Sequence, residues 1–255
     1  MKTRSFILSV IVFMFSLSPV CLKAQYPNLV FNKLSIEEGL PEESIICLLQ
    51  DKLGYIWIGT RAGIVRYDGY KTRVYNFGFE STLLASTAIL FEDDSGRLWA
   101  GTNSGLFYYD RSTDNFKPFE PAKGNKFSVG SIINIFKVGE QDLWVISGKY
   151  GKSDNYLNYI DRVNLSSRKI SHYSSFEKGS HYINATVFTD MIAAQNGKLW
   201  VGSNNGIYEY DPVKDKFTGH LIADDPTKKR GYFSLLEDPL QPGLIWMCRK
   251  DDITV

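Results

Sequence analysis

The sequence is poor in the residues that build reactive or metal-binding centres. Its 255 residues include three cysteines and three histidines. So few cysteines make no disulfide framework. There is no Cys-x-x-Cys pair, and His172, His181 and His220 show no zinc spacing such as His-Glu-x-x-His. No metal site and no cofactor is therefore expected. A Gly-rich phosphate loop and a Gly-x-Ser-x-Gly nucleophile turn are missing as well, so no catalytic residue is singled out. Charge is balanced, 29 basic against 28 acidic side chains, which leaves no footprint for nucleic acid. Past residue 24 no apolar run is long enough to cross a bilayer, so no membrane span is expected in the mature chain.

The first 24 residues differ from the rest. Lys2 and Arg4 precede an apolar run from Phe6 to Val20, and Ala24 offers a small residue before Gln25. This is the pattern of a secretory signal cleaved after Ala24, leaving residues 25–255 as the mature domain. Bulky Val20 before Cys21 argues against lipidation there. Losing Lys2, Arg4 and Lys23 leaves 26 basic against 28 acidic residues. Cys47 and Cys248 sit in apolar runs, SIICLLQ and LIWMC, and are expected as buried free thiols.

What the sequence does have is aromatics, glycine and a repeat. GYIWIGTRAGIVRYD (54–68), GRLWAGTNSGLFYYD (96–110) and GKLWVGSNNGIYEYD (197–211) are close copies. All five tryptophans, Trp57, Trp99, Trp144, Trp200 and Trp246, fall in it, with gaps of 42, 45, 56 and 46 residues. A period in the forties is that of one four-stranded propeller blade. Each copy reads as a short apolar strand ending in acid, a type I turn such as DKLG or DDSG, and a strand carrying the Trp. A turn closed by Gly63, Gly105 or Gly206 follows, then a strand ending in Tyr-Asp and a more polar outer strand. One blade cannot cover its own apolar faces, and stacking blades covers them, with each Trp as the wedge. The expected fold is all-β, a β-propeller of about four and a half antiparallel blades. Asp93 and Asp94 in DDSG read as a solvated turn, and SIICLLQ as a strand buried near the propeller axis.

The stretch from Ile36, IEEGLPEESIICLLQDKLGYIWIGTRAGIVRYDGYKTRVYN, resembles the opening blade of the two-component regulator propeller family. The matching positions are Gly39, Leu40, Asp51, Gly54, Trp57, Gly59, Thr60, Gly63, Tyr67 and Asp68. Two blades depart: Ile146 stands for the second Gly of the third, and Cys248 and Asp252 for both glycines of the fifth. The resemblance implies the periplasmic sensor half of a Bacteroidetes hybrid histidine kinase, non-enzymatic in itself, with an oligosaccharide as ligand. It also implies partners not found in the sequence, either C-terminal sensor and kinase regions or a homodimer mate. The chain ends nine residues past Trp246, so it reads as the front of such a sensor, an open arc in which LVFNKLS (29–35) lacks its native partner, rather than a five-bladed ring closed by that segment. Propellers also carry lyases, glycosidases and protein-binding scaffolds, so the fold alone decides nothing about activity.

The third repeat breaks the pattern. Matching Asp161 to Asp68, Asp110 and Asp211 gives VISGKYGKSDNYLNYID a six-residue insertion. Its Tyr150, Lys152, Asn155 and Tyr156 are the candidate ligand contacts, since aromatic faces beside amide and ammonium groups suit sugar rings and binding loops ride on rigid scaffolds.

Overall fold

A computed structural model describes residues 33–76, 87–150, 156–173, 188–203, 206–220, 233–249 and 252–254. Residues 1–24, expected as a signal and including Cys21, together with His181 and residues 29–32, lie outside the described residues. Each of the first four repeats folds into four antiparallel strands. Blade 1 holds β1 (Ile45–Gln50), β2 (Ile56–Thr60), β3 (Gly63–Tyr67) and β4 (Thr72–Tyr75). Blade 2 holds β5 (Thr87–Glu92), β6 (Leu98–Thr102), β7 (Gly105–Asp110) and β8 (Asn115–Pro118). Blade 3 holds β9 (Ile132–Val138), β10 (Asp142–Tyr150), β11 (Tyr156–Asn164) and β12 (Ile170–Tyr173). Blade 4 holds β13 (Phe188–Ala193), β14 (Leu199–Ser203), β15 (Gly206–Asp211) and β16 (Lys216–His220). The fifth sheet has three described strands, β17 (Phe233–Glu237), β18 (Ile245–Arg249) and β19 (Asp252–Thr254).

The repeated residues explain the repeated geometry. The turn after the first strand is closed by Gly54 N donating to Asp51 O at 2.8 Å, and by Gly96 N to Asp93 O at 2.9 Å. The Asp side chain then ties this turn to the tryptophan. Asp51 Oδ1 accepts from Leu53 N and Tyr55 N, and Oδ2 from Trp57 Nε1 at 2.9 Å. Asp93 does the same for Ser95, Arg97 and Trp99, and Asp238 for Trp246. Asp93 is thus a buried structural acceptor and not a solvated turn residue. At the other end of the blade, Thr60, Thr102 and Ser203 hydroxyls donate to the carbonyls of Gly63, Gly105 and Gly206. Those three glycines have positive φ, and at Gly63 a Cβ would sit 2.5 Å from Tyr75 O.

Blades stack in chain order through their first strands, β1 on β5, β5 on β9, β9 on β13 and β13 on β17. Trp57, Trp99 and Trp144 fill the gaps, each essentially without solvent contact. Trp57 packs on Tyr75, Tyr109 and Phe116, and Trp144 on the equivalent Tyr173, Tyr210 and Phe217. Trp200 packs with Leu235 and Met247 of the fifth sheet but is only half-buried, as is Trp246. Gly59 and Gly101 lie under the first strand of the next blade. A Cβ on Gly101 would fall 2.7 Å from Ile89 and 2.8 Å from Ile132. Blade 3 has Ile146 at this position, buried beside Phe188.

Two expectations are corrected here. SIICLLQ is not a buried strand: Ile45, Ile46 and Leu48 of β1 are 46%, 42% and 63% exposed. β5, β9 and β13 each lie between two sheets, whereas β1 meets one among the described residues. Neither described cysteine is the buried thiol expected: Cys47 is half-buried and Cys248 is exposed.

Candidate ligand face between the second and third blades

Adjacent blades are joined by more than apolar contact. Asp114, in the turn before β8, accepts hydrogen bonds from the Tyr75 and Tyr109 hydroxyls and pairs with Arg66 and Arg73. Between blades 3 and 4, Asp215 is held in the same way by Tyr173, Tyr210 and Arg162. Both aspartates have a left-handed backbone, φ 47 and 50. Burial, with hydrogen bonding to the carboxylate, pushes the Tyr75 and Tyr173 hydroxyls far above the usual phenol range and Tyr210 to about 12. Burial acts against the Asp114 carboxylate, but the two tyrosines and two arginines outweigh it and hold its pKa below the ordinary range. The junction between blades 2 and 3 lacks this clamp. Its turn position is Arg168, also left-handed at φ 57.

Beside that junction, at the end carrying the glycine turns, blade 2 and its connection to blade 3 leave an opening. A cleft of about 290 Å³ lies there, lined by Ser104, Leu106, Phe107, Phe119, Lys126, Phe127 and others. Phe119 and Phe127 come from the connection between β8 and β9, their ring centroids 6.4 Å apart and tilted by 59°. Lys126 is exposed and makes no hydrogen bond or ion pair among the described residues.

The cleft wall is fixed from beneath by a buried carboxylate. Asp161 is wholly buried, on the face of its sheet where blades 1, 2 and 4 have Val65, Phe107 and Tyr208. Its Oδ2 accepts from Ser128 N at 2.9 Å and from Ser147 Oγ at 3.4 Å; its Oδ1 accepts from Ser128 Oγ at 2.6 Å. His172 Nδ1 lies 2.7 Å from Asp161 Oδ1 and 3.0 Å from Ser128 Oγ. A serine, a histidine and an aspartate are thus together, but Ser128 and Asp161 address one ring nitrogen. A catalytic relay needs them on opposite nitrogens, so this set is a brace rather than a nucleophile system. Among the described residues no group of three or more His, Cys, Asp and Glu is placed to hold a metal ion.

The same pairing corrects the third repeat. Trp57, Trp99 and Trp200 pair with Arg66, Tyr108 and Glu209, and Trp144 with Arg162. The residue matching Asp68, Asp110 and Asp211 is therefore Asn164, which accepts from Ser167 N as Asp110 accepts from Ser112 N. Asn164 lies twenty residues past Trp144 where the others lie eleven, so the insertion is nine residues and not six. It lengthens β10 and β11 to nine residues each, paired out to Tyr150 opposite Tyr156. Those two candidate contacts end the hairpin, while Lys152 and Asn155 lie outside the described residues. The hairpin base is bonded to the cleft segment, Gly148 N donating to Ser131 O at 2.9 Å. The five tryptophans and Gly63, Gly105 and Gly206 are scaffold positions, whereas Phe119, Lys126, Phe127 and Ser128 were not singled out in the sequence, and Asp161 only as the closing acid of the third repeat. Their signal was a thirteen-residue connection, 119–131, and an acid on an otherwise apolar strand position.

Residues 39–62 match the family described as two component regulator propeller. A 64-residue stretch, 25% of this chain, is 41% identical to histidine kinase P4 of Formosa agariphila, of which it covers 5%. The extracellular domain of BT4673 from B. thetaiotaomicron, described as a one-component or a hybrid two-component system, superposes with a TM-score of 0.64 at 24% identity. That match covers 82% of this chain and 26% of the other. A virginiamycin B lyase from Staphylococcus aureus shares the fold with a TM-score of 0.53 at 14% identity, over 84% of this chain and 80% of the lyase. The chain thus spans about a twentieth of the curated relative and about a quarter of the solved one. The chain thus folds as a β-propeller, and within it residues 39–62 match the two component regulator propeller family.

Proposed function

We propose that the chain is the extracytoplasmic sensing propeller of a two-component signalling protein, and that it binds an oligosaccharide without transforming it. The observation that carries this reading is the repeat itself. Its conserved-looking residues, Asp51, Trp57, Thr60 and Gly63, are all consumed in building the blade, so recognition falls to whatever departs from the repeat. The departures gather at one end of blade 3: the lengthened hairpin and the cleft beside it. Tyr150 and Tyr156 end the paired strands, and with Lys152 and Asn155, which lie outside the described residues, they are the candidate aromatic and polar contacts for a sugar chain. Export by the N-terminal signal places this face where released glycans are found. The signalling output and the partner regions belong to the longer protein that the kinase relative exemplifies.

The test is a thermal-shift screen of the full chain against purified oligosaccharides. A ligand at a hundred times its Kd adds about 2.7 kcal/mol of stability and raises the melting temperature by several degrees. Deleting Lys149–Asp154 should leave the melt of the free protein in place and remove that shift. If no glycan moves the melt while a protein partner is retained without sugar, the chain is an interaction scaffold. Appearance of cleaved product would make it an enzyme.

A further inference from the structure

We infer that the cleft between blade 2 and its connection to blade 3 is where this propeller seats one ring of its ligand, and that the ring is an acidic one, a hexuronate of an oligosaccharide. This rests on the sensing role proposed above and names the subsite and the sugar class.

The cleft is built, not incidental. A carboxylate on a core strand position costs several kcal/mol to bury unless it is fully hydrogen-bonded. Asp161 meets that condition by taking the backbone N–H and the hydroxyl of Ser128, with His172 closing the set. The effect is to immobilise the residue next to Phe127 and two from Lys126. Val65, Phe107 and Tyr208 stand in its place in the other complete blades. Pre-fixing a wall lowers the ordering cost of binding.

The lining then sets the ligand chemistry. Phe119 and Phe127 are tilted by 59°, two walls of one corner, and a pyranose presents a C–H face to such a ring. At about 290 Å³ the space lies at the low end for small-molecule sites, enough for a ring and not for a whole chain. Ser104 supplies a hydroxyl at the rim, and Lys126 the one charge in the lining. An ammonium without a partner at the mouth of an aromatic corner calls for an anion, and a ring carboxylate reaches it while the ring stacks. Longer oligomers continue along the hairpin, whose base is bonded to the same segment.

Isothermal titration of the full chain with a panel of oligouronides and their neutral hexose counterparts tests this at low and high salt. One oligouronide should bind, its neutral counterpart about tenfold more weakly, as for loss of a charge-assisted hydrogen bond. Added salt should shrink the difference. Lys126→Ala should erase the preference, Lys126→Arg should keep it, and Phe127→Ala should abolish binding of both sugars. Ser128→Ala should weaken binding severalfold through the wall alone. A neutral sugar bound as tightly as its uronide, or a Lys126→Glu variant that binds the uronide unchanged, overturns the assignment and leaves the sensing role standing. Binding of no sugar in the panel overturns both.

Discussion

Replacing Trp99 by alanine tests how the blades are held. The indole has no solvent contact, lies 6.0 Å from Tyr108 and from Phe119, and shares its cluster with Ile132, Leu143 and Val163 of the next blade. Emptying such a site costs about 3–5 kcal/mol. Asp93 Oδ2 also loses the Nε1 donor at 3.0 Å, which adds about 1 kcal/mol. For a chain of this size each kcal/mol lowers the melting temperature by about 2–4 °C, so the expected fall is about 8–24 °C. Trp246 makes the same Asp bond but is half-buried in the last sheet, so Trp246→Ala should cost less than half as much. Trp99→Phe keeps most of the packing and isolates the hydrogen bond. Burial works to raise the Asp93 pKa, but bonds from Ser95, Trp99 and Arg97 N outweigh it and hold the folded value below the ordinary one. Its contribution is therefore full above about pH 4 and is lost as pH falls through the folded pKa. Trp99→Phe should blunt that acid loss. Thermal melts and urea titrations at pH 7 and at about pH 2, below the folded Asp93 pKa, measure all of this. A Trp99→Ala melt within 2 °C of wild type, taking about 2 °C as the equivalent of under 1 kcal/mol, would refute the inter-blade wedge.

Further outcomes follow from the glycines, the clamps and the thiols. Gly63→Ala should destabilise by more than Gly105→Ala: both have φ 129, but only at Gly63 does the Cβ meet a backbone oxygen. The φ penalty alone is about 1–2 kcal/mol by urea titration. Gly101→Ala should cost about 1–3 kcal/mol by forcing blade 2 off Ile132, whatever the pH of the melt. Asp215→Asn should lose about 2 kcal/mol by leaving Tyr173 and Tyr210 without a charged acceptor, and the same change at Asp114 should match it. Cys47, its thiol pushed by burial to about 11, should resist a thiol reagent at pH 8 while exposed Cys248 reacts, as read by mass spectrometry.

The blade was legible because it is local. Asp51, Gly54, Trp57, Thr60 and Gly63 make one another's turns within thirteen residues, and the same spacing recurs in Asp93, Gly96, Trp99, Thr102 and Gly105 and, without the acid, in Gly197, Trp200, Ser203 and Gly206. The third repeat misled for the same reason. Tyr159-Ile160-Asp161 imitates the Tyr-Asp ending, and nothing local shows that the hairpin runs on and shifts the frame to Asn164. Asp93 read as solvated because its bond to Trp99 crosses a turn into the gap between blades. The Asp114 clamp joins residues 39 and 48 positions apart in sequence, and the Asp161 brace one 33 apart. Such pairs have no period to betray them. The exposure of β1 likewise depends on what stands next to it, which the apolar run cannot tell.

The clamps fall at alternate junctions, between blades 1 and 2 and between blades 3 and 4. Hydrogen-bonded charges hold two surfaces in one register, whereas the apolar seam between blades 2 and 3, with Trp99, Leu106, Ile135 and Val163, resists separation but not sliding. Under load such a stack behaves as rigid couples on a greased hinge. A molecule wedged into the mouth of that hinge would change the angle between the couples, a small displacement at the cleft becoming a larger one at their far edges. Hydrogen exchange that protects blades 1 and 2 as one unit and blades 3 and 4 as another would display this jointed mechanics directly.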